Sequence, residues 1–332
     1  MIRVNVVAFE NGVGNSRDLA LVSHALAEVD CTVSVTQISA HSRRRRRSPV
    51  LWGLVAARRW AYRHPLLRAR RPKFDLNIMM EHVWPEQLPN AARNVVIPNP
   101  EWFDAADRRL LQFVDRVWAK TGHSFDAFRS LGCCVNMIGF DSTDRFVQDV
   151  TREPSFFHLA GKSRMKGTAG LVQLWSRHRE WPMLTVVHSR RAVFETVAAP
   201  NIRYETRYLD DAELRRIQNL NAFHLCLSET EGWGHYIGEA QSVGAIMLVT
   251  DAQPMNELVT GERGLLVKCR ETGRQHLATR YAFIPEELER RIGSALDMSA
   301  QDRQRLGGAA RQWFLDNKRA FGQRLKLALA EL

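Results

Sequence analysis

Short apolar runs alternate with helix-patterned stretches from the first residues onward, and this alternation limits the folds open to the chain more than any other feature. Ile2 to Phe9 is apolar, the turn Glu10-Asn11-Gly12-Val13-Gly14-Asn15 follows, and Leu19, Leu21, Val22, Ala25, Leu26 and Val29 then recur at helical spacing. Runs at Thr32 to Ile38, Leu76 to Met80, Asn94 to Ile97 and Arg116 to Ala119 predict further strands, several trailed by helix-like segments. Strands and helices in alternation imply a parallel sheet covered on both faces. After the polar stretch Asp141 to Pro154 the pattern starts again, with strands predicted at Phe156 to Ala160, Met183 to His188, Ala222 to Leu227 and Ala245 to Thr250. Helical patterns lie between them at Thr168 to His178, Asp211 to Asn219 and Gly238 to Val243. The expectation is an α/β chain of two tandem doubly wound, Rossmann-like domains, 1–150 and 151–305, facing across a cleft. The last segment, Ala300 to Leu332, reads as helical, with Trp313, Phe314, Phe321, Leu325 and Leu329 on one stripe, and residues 306–332 are expected to pack back toward the first domain.

A chain of 332 residues with 45% hydrophobic content can bury two cores, which excludes disorder as the default. The five cysteines follow no metal-ligand spacing and sit mostly in apolar surroundings, so no metal site is expected and the thiols suit a reducing cytoplasm. No apolar run approaches the roughly 20 residues that span a bilayer, and the N-terminal run reads as a strand rather than a signal peptide. Lys and Arg outnumber Asp and Glu by 47 to 36, and His41 to Lys73 holds twelve of the cations with no acidic residue. An anionic partner fits that segment.

The most informative stretch is Leu227-Ser228-Glu229-Thr230-Glu231-Gly232-Trp233-Gly234-His235-Tyr236-Ile237-Gly238-Glu239-Ala240. An apolar strand ends at Ser228, a glycine-bearing loop follows, and a helix is predicted to start near Ile237. Backbone N–H groups at such a helix start suit a phosphate, and Gly232 and Gly234 let a bulky ligand approach the main chain. Glu231 and Glu239, one on the loop and one in the first turn, can face one cavity, and a carboxylate accepts paired hydroxyls of a ribose or hexose. Solvated acids beside a capped helix are the plain alternative.

Glu231-Gly-Trp-Gly-His-Tyr-Ile-Gly-Glu239, continuing through Asn256-Glu257 and Gly264-Leu-Leu-Val, resembles the Glu-x7-Glu signature of retaining GT-B glycosyltransferases, family four above all. The resemblance implies that Glu239 binds a donor ribose, that Glu231 borders the transferred sugar, and that main-chain groups from Gly232 through Trp233, Gly234 and His235 to Tyr236 meet its hydroxyls. His235-Tyr236 departs from the apolar residue and proline common in that family. Upstream, Phe157-His-Leu-Ala-Gly161-Lys162-Ser-Arg164-Met-Lys166-Gly167 resembles the family's basic loop, which implies that Lys162, Lys166 and Arg164 neutralise a departing nucleoside diphosphate without a metal or other cofactor. In the N-terminal half, Gly12 and Gly14 occupy the position of a glycine loop near the diphosphate, and His82 resembles the cleft histidine that contacts the donor sugar. Asn136-Met-Ile-Gly139-Phe-Asp141 resembles the family's linker start. A tight strand-to-helix turn and a buried core histidine are the structural alternatives for these.

The function so implied is transfer of a sugar, with retention, from a nucleotide sugar to an acceptor hydroxyl. A cell-surface polysaccharide or a lipid-linked glycan is the expected acceptor, and nucleic acid is a lesser one. A glycoside hydrolase also uses paired carboxylates but has no need of the basic loop. A non-catalytic anion-binding module would rest on the run Arg43, Arg44, Arg45, Arg46 and Arg47 with Trp52, Trp60 and Tyr62. That run is either a solvated loop or a dock for an anionic membrane surface, each basic residue contributing roughly 1 kcal/mol there. The expected location is cytoplasmic, peripheral at the inner face of the membrane.

Overall fold

The computed structural model describes residues 2–9, 14–29, 31–39, 42, 46–63, 72–189 and 194–332, and the side chains of 14, 15 and 58–63 lie outside the description. Gly12, Arg43, Arg44 and Arg45, and the side chains of Trp60 and Tyr62, therefore lie outside the described residues. Two compact units emerge.

The first unit comprises 1–140, 275–277 and 319–332. Its elements run β1 (Ile2–Ala8), α1 (Gly14–Ala27), β2 (Cys31–Gln37), α2 (Pro49–Arg63), β3 (Phe74–Glu81), β4 (Ala91–Pro98), α3 (Ala105–Leu110), β5 (Arg116–Ala119), α4 (Gly122–Ser130) and β6 (Val135–Met137). They form one parallel sheet in the order β2-β1-β3-β4-β5-β6. Central strands read as nearly continuous apolar runs because helices cover both faces. The exceptions are Asn5, Asn77 and Asn94, all fully buried on adjacent strands. Burying an amide costs free energy unless it is paired, and these pair in a chain. Thr36 Oγ1 donates to Asn5 (2.8 Å), Asn5 to Asn77 (3.0 Å), Asn77 to Asn94 (2.9 Å) and Asn94 to the Leu88 carbonyl (3.1 Å).

The second unit comprises 141–274 and 278–318. It contains β7 (Glu153–Gly161), α5 (Thr168–Arg177), β8 (Leu184–His188), β9 (Ile202–Glu205), α6 (Asp211–Leu220), β10 (Asn221–Cys226), α7 (His235–Ser242), β11 (Ile246–Thr250), α8 (Met255–Leu258), β12 (Leu265–Val267), the strand pair β13 (Cys269–Gln275) and β14 (Ala278–Phe283), α9 (Pro285–Leu296) and most of α10 (Ala300–Ala330). The sheet order is β12-β11-β10-β7-β8-β9. Counted from β7, this is the order of a dinucleotide-binding sheet, whose ligand crevice opens where the order reverses. Here that place lies between the carboxyl ends of β7 and β10. The core beneath stacks Phe156 on Phe223 at 4.7 Å and sets Trp175 edge-on to Phe156 at 4.9 Å.

The division falls at Phe140–Asp141, not near residue 150. The polar segment expected to end the first domain is bound into the second. Arg145 N–H donates to Ser242 Oγ (2.9 Å), Val147 N–H donates to Asn219 Oδ1 (3.0 Å), and the Arg145 guanidinium pairs with Asp211. The terminal helix begins at Ala300, as the sequence reads, and its residues divide after Lys318 rather than at 306. In its last part Phe321 packs on Phe140 (5.2 Å) and Arg324 Nε donates to the Ile138 carbonyl (2.6 Å). The strands β6, β9, β13 and β14 and the helix α9 have no counterpart in the sequence reading. The first two are three and four residues long, and β13 is mostly exposed and polar, so no apolar run marks them.

Candidate functional site

The loops that follow β7 and β10 carry Lys166 and Glu231, and the fold stitches these loops together. Glu229 N–H donates to the Met165 carbonyl at 2.9 Å. Gly167, with φ 68°, lies so close to the second loop that a Cβ there would sit 2.5 Å from the Leu227 carbonyl oxygen. Only glycine combines that backbone with that approach. The consequence is direct contact between the Lys166 ammonium and Glu231 Oε1. Ser228 Oγ also donates to Glu231 Oε1 (2.5 Å) and lies 2.6 Å from the Tyr236 hydroxyl, while the ammonium sits 3.9 Å from the centre of the Tyr236 ring. Burial, followed by the nearby Cys226 and Glu231, pushes the Tyr236 phenol far above its ordinary range, and burial raises the Cys226 thiol. Both stay neutral, so the polar character of this spot comes from Lys166 and Glu231.

Two helices begin at the same loops. The residues just before α5 and α7, Gly167 and Gly234, are both left-handed and neither helix start carries a side-chain cap. Their first N–H groups are therefore not committed to a side chain. The second helix starts at His235, two residues before the position read from the sequence. Behind the first loop, His158 Nδ1–H donates to the Leu225 carbonyl (2.8 Å) and Nε2 accepts from Thr168 Oγ1 (2.9 Å). Burial pushes its pKa down to about 4, which keeps it neutral and suited to both bonds.

The other expected site residues divide. Gly232, Trp233 and Gly234 lie on the Glu231 loop and His235 and Tyr236 open α7; Trp233 Nε1–H donates to Ser142 Oγ (3.0 Å), with His235 Nδ1 at 3.4 Å from the same oxygen. Lys162 and Arg164 stand exposed on the Lys166 loop and make no ion pair among the described residues. Glu239, expected to hold a donor ribose, is 0% exposed. It accepts from Gln218 Nε2 at 2.9 Å and lies 3.6 Å from an Arg145 guanidinium nitrogen. Gly14 opens α1.

His82 lies at the carboxyl end of β3, beside β1, where the order of the first sheet reverses. Glu81 there has φ 64°, and His82 N–H closes back on the Met80 carbonyl at 2.7 Å. Such a three-residue turn on a non-glycine costs about 1–3 kcal/mol and persists only where its surroundings enforce it. Asp107 does so: it accepts from His82 Nδ1 (2.8 Å), Val83 N–H (3.0 Å) and Asp104 N–H (3.2 Å).

Sequence reasoning missed Ser142, Arg145, Gln218, Ser228, Asp107 and Arg280. Arg280 reaches in from β14, donating through Nε (3.0 Å) to Glu229 Oε2, and Tyr281 N–H bonds the Glu229 carbonyl (2.8 Å). For Ser228 the signal was its place between an apolar strand and Glu231; the others are distant in sequence. The described arginines of the basic run part ways. Arg46 is 3% exposed and paired with both Asp104 and Asp107, because a buried carboxylate beside a half-buried one needs a cation. Arg47 is exposed at 73% of its side chain, although it lies 3.0 Å from Asp104. No described helix is long and apolar enough to cross a membrane, and the described residues hold no group of three or more His, Cys, Asp or Glu placed for a metal ion.

Solved structures resemble the whole chain. A glycosyltransferase from Rickettsia africae ESF-5 superimposes with a TM-score of 0.70 at 12% identity, covering 99% of this chain and 98% of that one. Anabaena Alr3699/HepE, solved with UDP and glucose, gives 0.68 at 13% identity over 100% of both chains. Sucrose-phosphate synthase from Thermosynechococcus elongatus gives 0.67 at 11% identity, covering 100% and 99%. The chain has the GT-B fold. No protein-family model and no curated protein matches the sequence. At these identities the likeness concerns the GT-B architecture.

Proposed function

We propose that the chain transfers a sugar, with retention, from a nucleoside-diphosphate sugar to an acceptor hydroxyl. The observation that carries this is the Lys166–Glu231 pair, set between two helix starts without side-chain caps at the place where the strand order of the second sheet reverses. A diphosphate needs cations and N–H donors, and this place offers both. In the free protein Glu231 offsets the ammonium. A bound diphosphate supplies the negative charge instead, so Lys166 stabilises the leaving group while Glu231 and the main chain of Gly232 to Tyr236 meet the sugar. Lys162 and Arg164, exposed on the same loop, add to the positive field. The reaction as proposed draws on these cations rather than a metal or an organic cofactor.

Retention rests on the Glu-x7-Glu resemblance, with the departing phosphate oxygen taking the acceptor proton. Hydrolysis by paired carboxylates is the weaker reading, because Glu239 is enclosed and held by Gln218 and Arg145. HepE was solved with UDP-glucose and a trehalose-6-phosphate protein of E. coli with UDP-2-fluoro glucose, which makes uridine diphosphate sugars the first donors to try. For the acceptor we favour a lipid-linked glycan. The helix α2 shows Val50 at 74% and Leu54 at 63% exposure close to Arg47, a pattern suited to an anionic membrane surface at the inner face of the membrane.

The test is a thermal-shift and turnover screen of nucleotide sugars. A donor at a hundred times its Kd raises stability by about 2.7 kcal/mol. Lys166→Ala and Glu231→Gln should abolish turnover while the folded state survives, and the product's anomeric configuration reads retention. Absence of any nucleotide-sugar binding, or wild-type turnover in both variants, removes the proposal.

A further inference from the structure

One arginine of the basic run behaves unlike a surface cation. Arg46 lies inside the first unit, its main chain held by Ser42 (Arg46 N–H to the Ser42 carbonyl, 3.0 Å) and by Trp52 Nε1–H on its own carbonyl (2.8 Å). Its guanidinium bridges Asp104 Oδ2 (2.8 Å) and Asp107 Oδ1 and lies 5.8 Å from the centre of the Trp84 ring. Asp107 is fully buried, and both its oxygens accept. Oδ1 takes Arg46 and Val83 N–H, and Oδ2 takes Asp104 N–H and His82 Nδ1. A carboxylate can only accept, so Nδ1 carries the proton. The other ring nitrogen, Nε2, lies 3.6 Å from Glu81 Oε2, and Trp84 meets the imidazole edge-on at 5.7 Å. Ring orientation, tautomer and the strained turn at Glu81 thus converge on one carboxylate, which Arg46 pairs with and holds in place.

We propose that Asp107 and Arg46 are positioning residues for His82, and that they present Nε2 as the working atom of the ring. With Nδ1 protonated and committed, a neutral His82 offers Nε2 as an acceptor, and a protonated one offers it as a donor. An acceptor at the carboxyl edge of β3 suits a ligand hydroxyl, the group shared by a sugar donor and a glycan acceptor. The catalytic half of this inference rests on the transfer reading; the positioning half does not.

The experiment uses the full chain labelled with 15N-histidine, with the His82 signals assigned by their loss in His82→Gln. In its neutral form, reached by raising the pH until the signals stop moving, the wild-type ring should show a protonated Nδ1 and a bare Nε2. Asp107→Asn has one NH2 where two acceptors are needed, so it should move the proton to Nε2. Arg46→Gln leaves the carboxylate in place and should keep Nδ1 protonated. With the donor found in the screen, Asp107→Asn and His82→Gln should each lower kcat on the order of a hundredfold, with no further loss in the double variant. A neutral wild-type ring protonated at Nε2, or an unchanged tautomer in Asp107→Asn, overturns the proposal whatever the activity. A reversed tautomer with wild-type kcat overturns its catalytic half. An Asp107-dependent tautomer in a wild type that turns over no nucleotide sugar supports positioning and retires the transfer reading instead. Should Asp107→Asn fail to fold, the wild-type and Arg46→Gln spectra decide, since a bare Nδ1 in either contradicts the geometry.

Discussion

Acid should destabilise the second unit through two histidines. His158 and His224 are buried, and burial pushes their pKa values down to about 4 and about 3, against about 6.5 for an unfolded histidine. A depressed folded value means that the unfolded chain binds the proton first. The contribution of each neutral ring is therefore complete above pH 6.5 and declines as pH falls toward the folded pKa. Over that window each histidine removes about 1.4 kcal/mol per pH unit. Between pH 7 and pH 4.5 the pair together removes roughly 5 kcal/mol, comparable to the whole stability of a marginal domain. The assay is urea unfolding followed by circular dichroism at fixed ionic strength across that range, for the wild type and for His158→Gln/His224→Gln. Carboxylates titrate in both proteins, so the difference between the two pH dependences isolates the histidines. The double variant should start less stable and lose roughly 5 kcal/mol less on acidification. Equal pH dependences, within about 1 kcal/mol, would refute the burial argument. His158 also holds Thr168, two residues past Lys166, so turnover should decline over the same window.

The close approach of the two site loops gives another test. Gly167→Ala meets the Leu227 carbonyl at 2.5 Å and should cost roughly 2–4 kcal/mol and most of the activity. Gly161→Ala, at φ 58° with nothing within 4 Å of the new methyl, should cost only about 1–2 kcal/mol in the same urea titration; equal costs would show that the contact with Leu227 is unimportant. For the membrane surface, Val50→Asp/Leu54→Asp should lower co-sedimentation with anionic phosphatidylglycerol vesicles and leave turnover of a soluble acceptor unchanged. Undiminished sedimentation would exclude α2 as the docking face.

The sequence by itself determined the two α/β units and the loop that carries Glu231. Both are local properties: apolar runs of strand length, the helical recurrences between them, and glycines at a strand-to-helix turn record what a few consecutive residues must do. The pairing of Lys166 with Glu231 was half legible, through a basic loop whose resemblance to a known pattern suggested a shared ligand. Only the tertiary structure decided the partners. Arg46 reads as one cation in a run of five, and it is buried because Asp104 and Asp107, some sixty positions away, lie where an unpaired charge would cost too much. Glu239 reads as a binding carboxylate, and Gln218 and Arg145 enclose it. The segment from Asp141 reads as a linker, and Ser142, Arg145 and Val147 bind it to the second unit. Charge and polarity are written in the sequence, but which desolvated groups meet depends on strand order, and strand order is fixed by long-range packing that no short stretch of residues encodes.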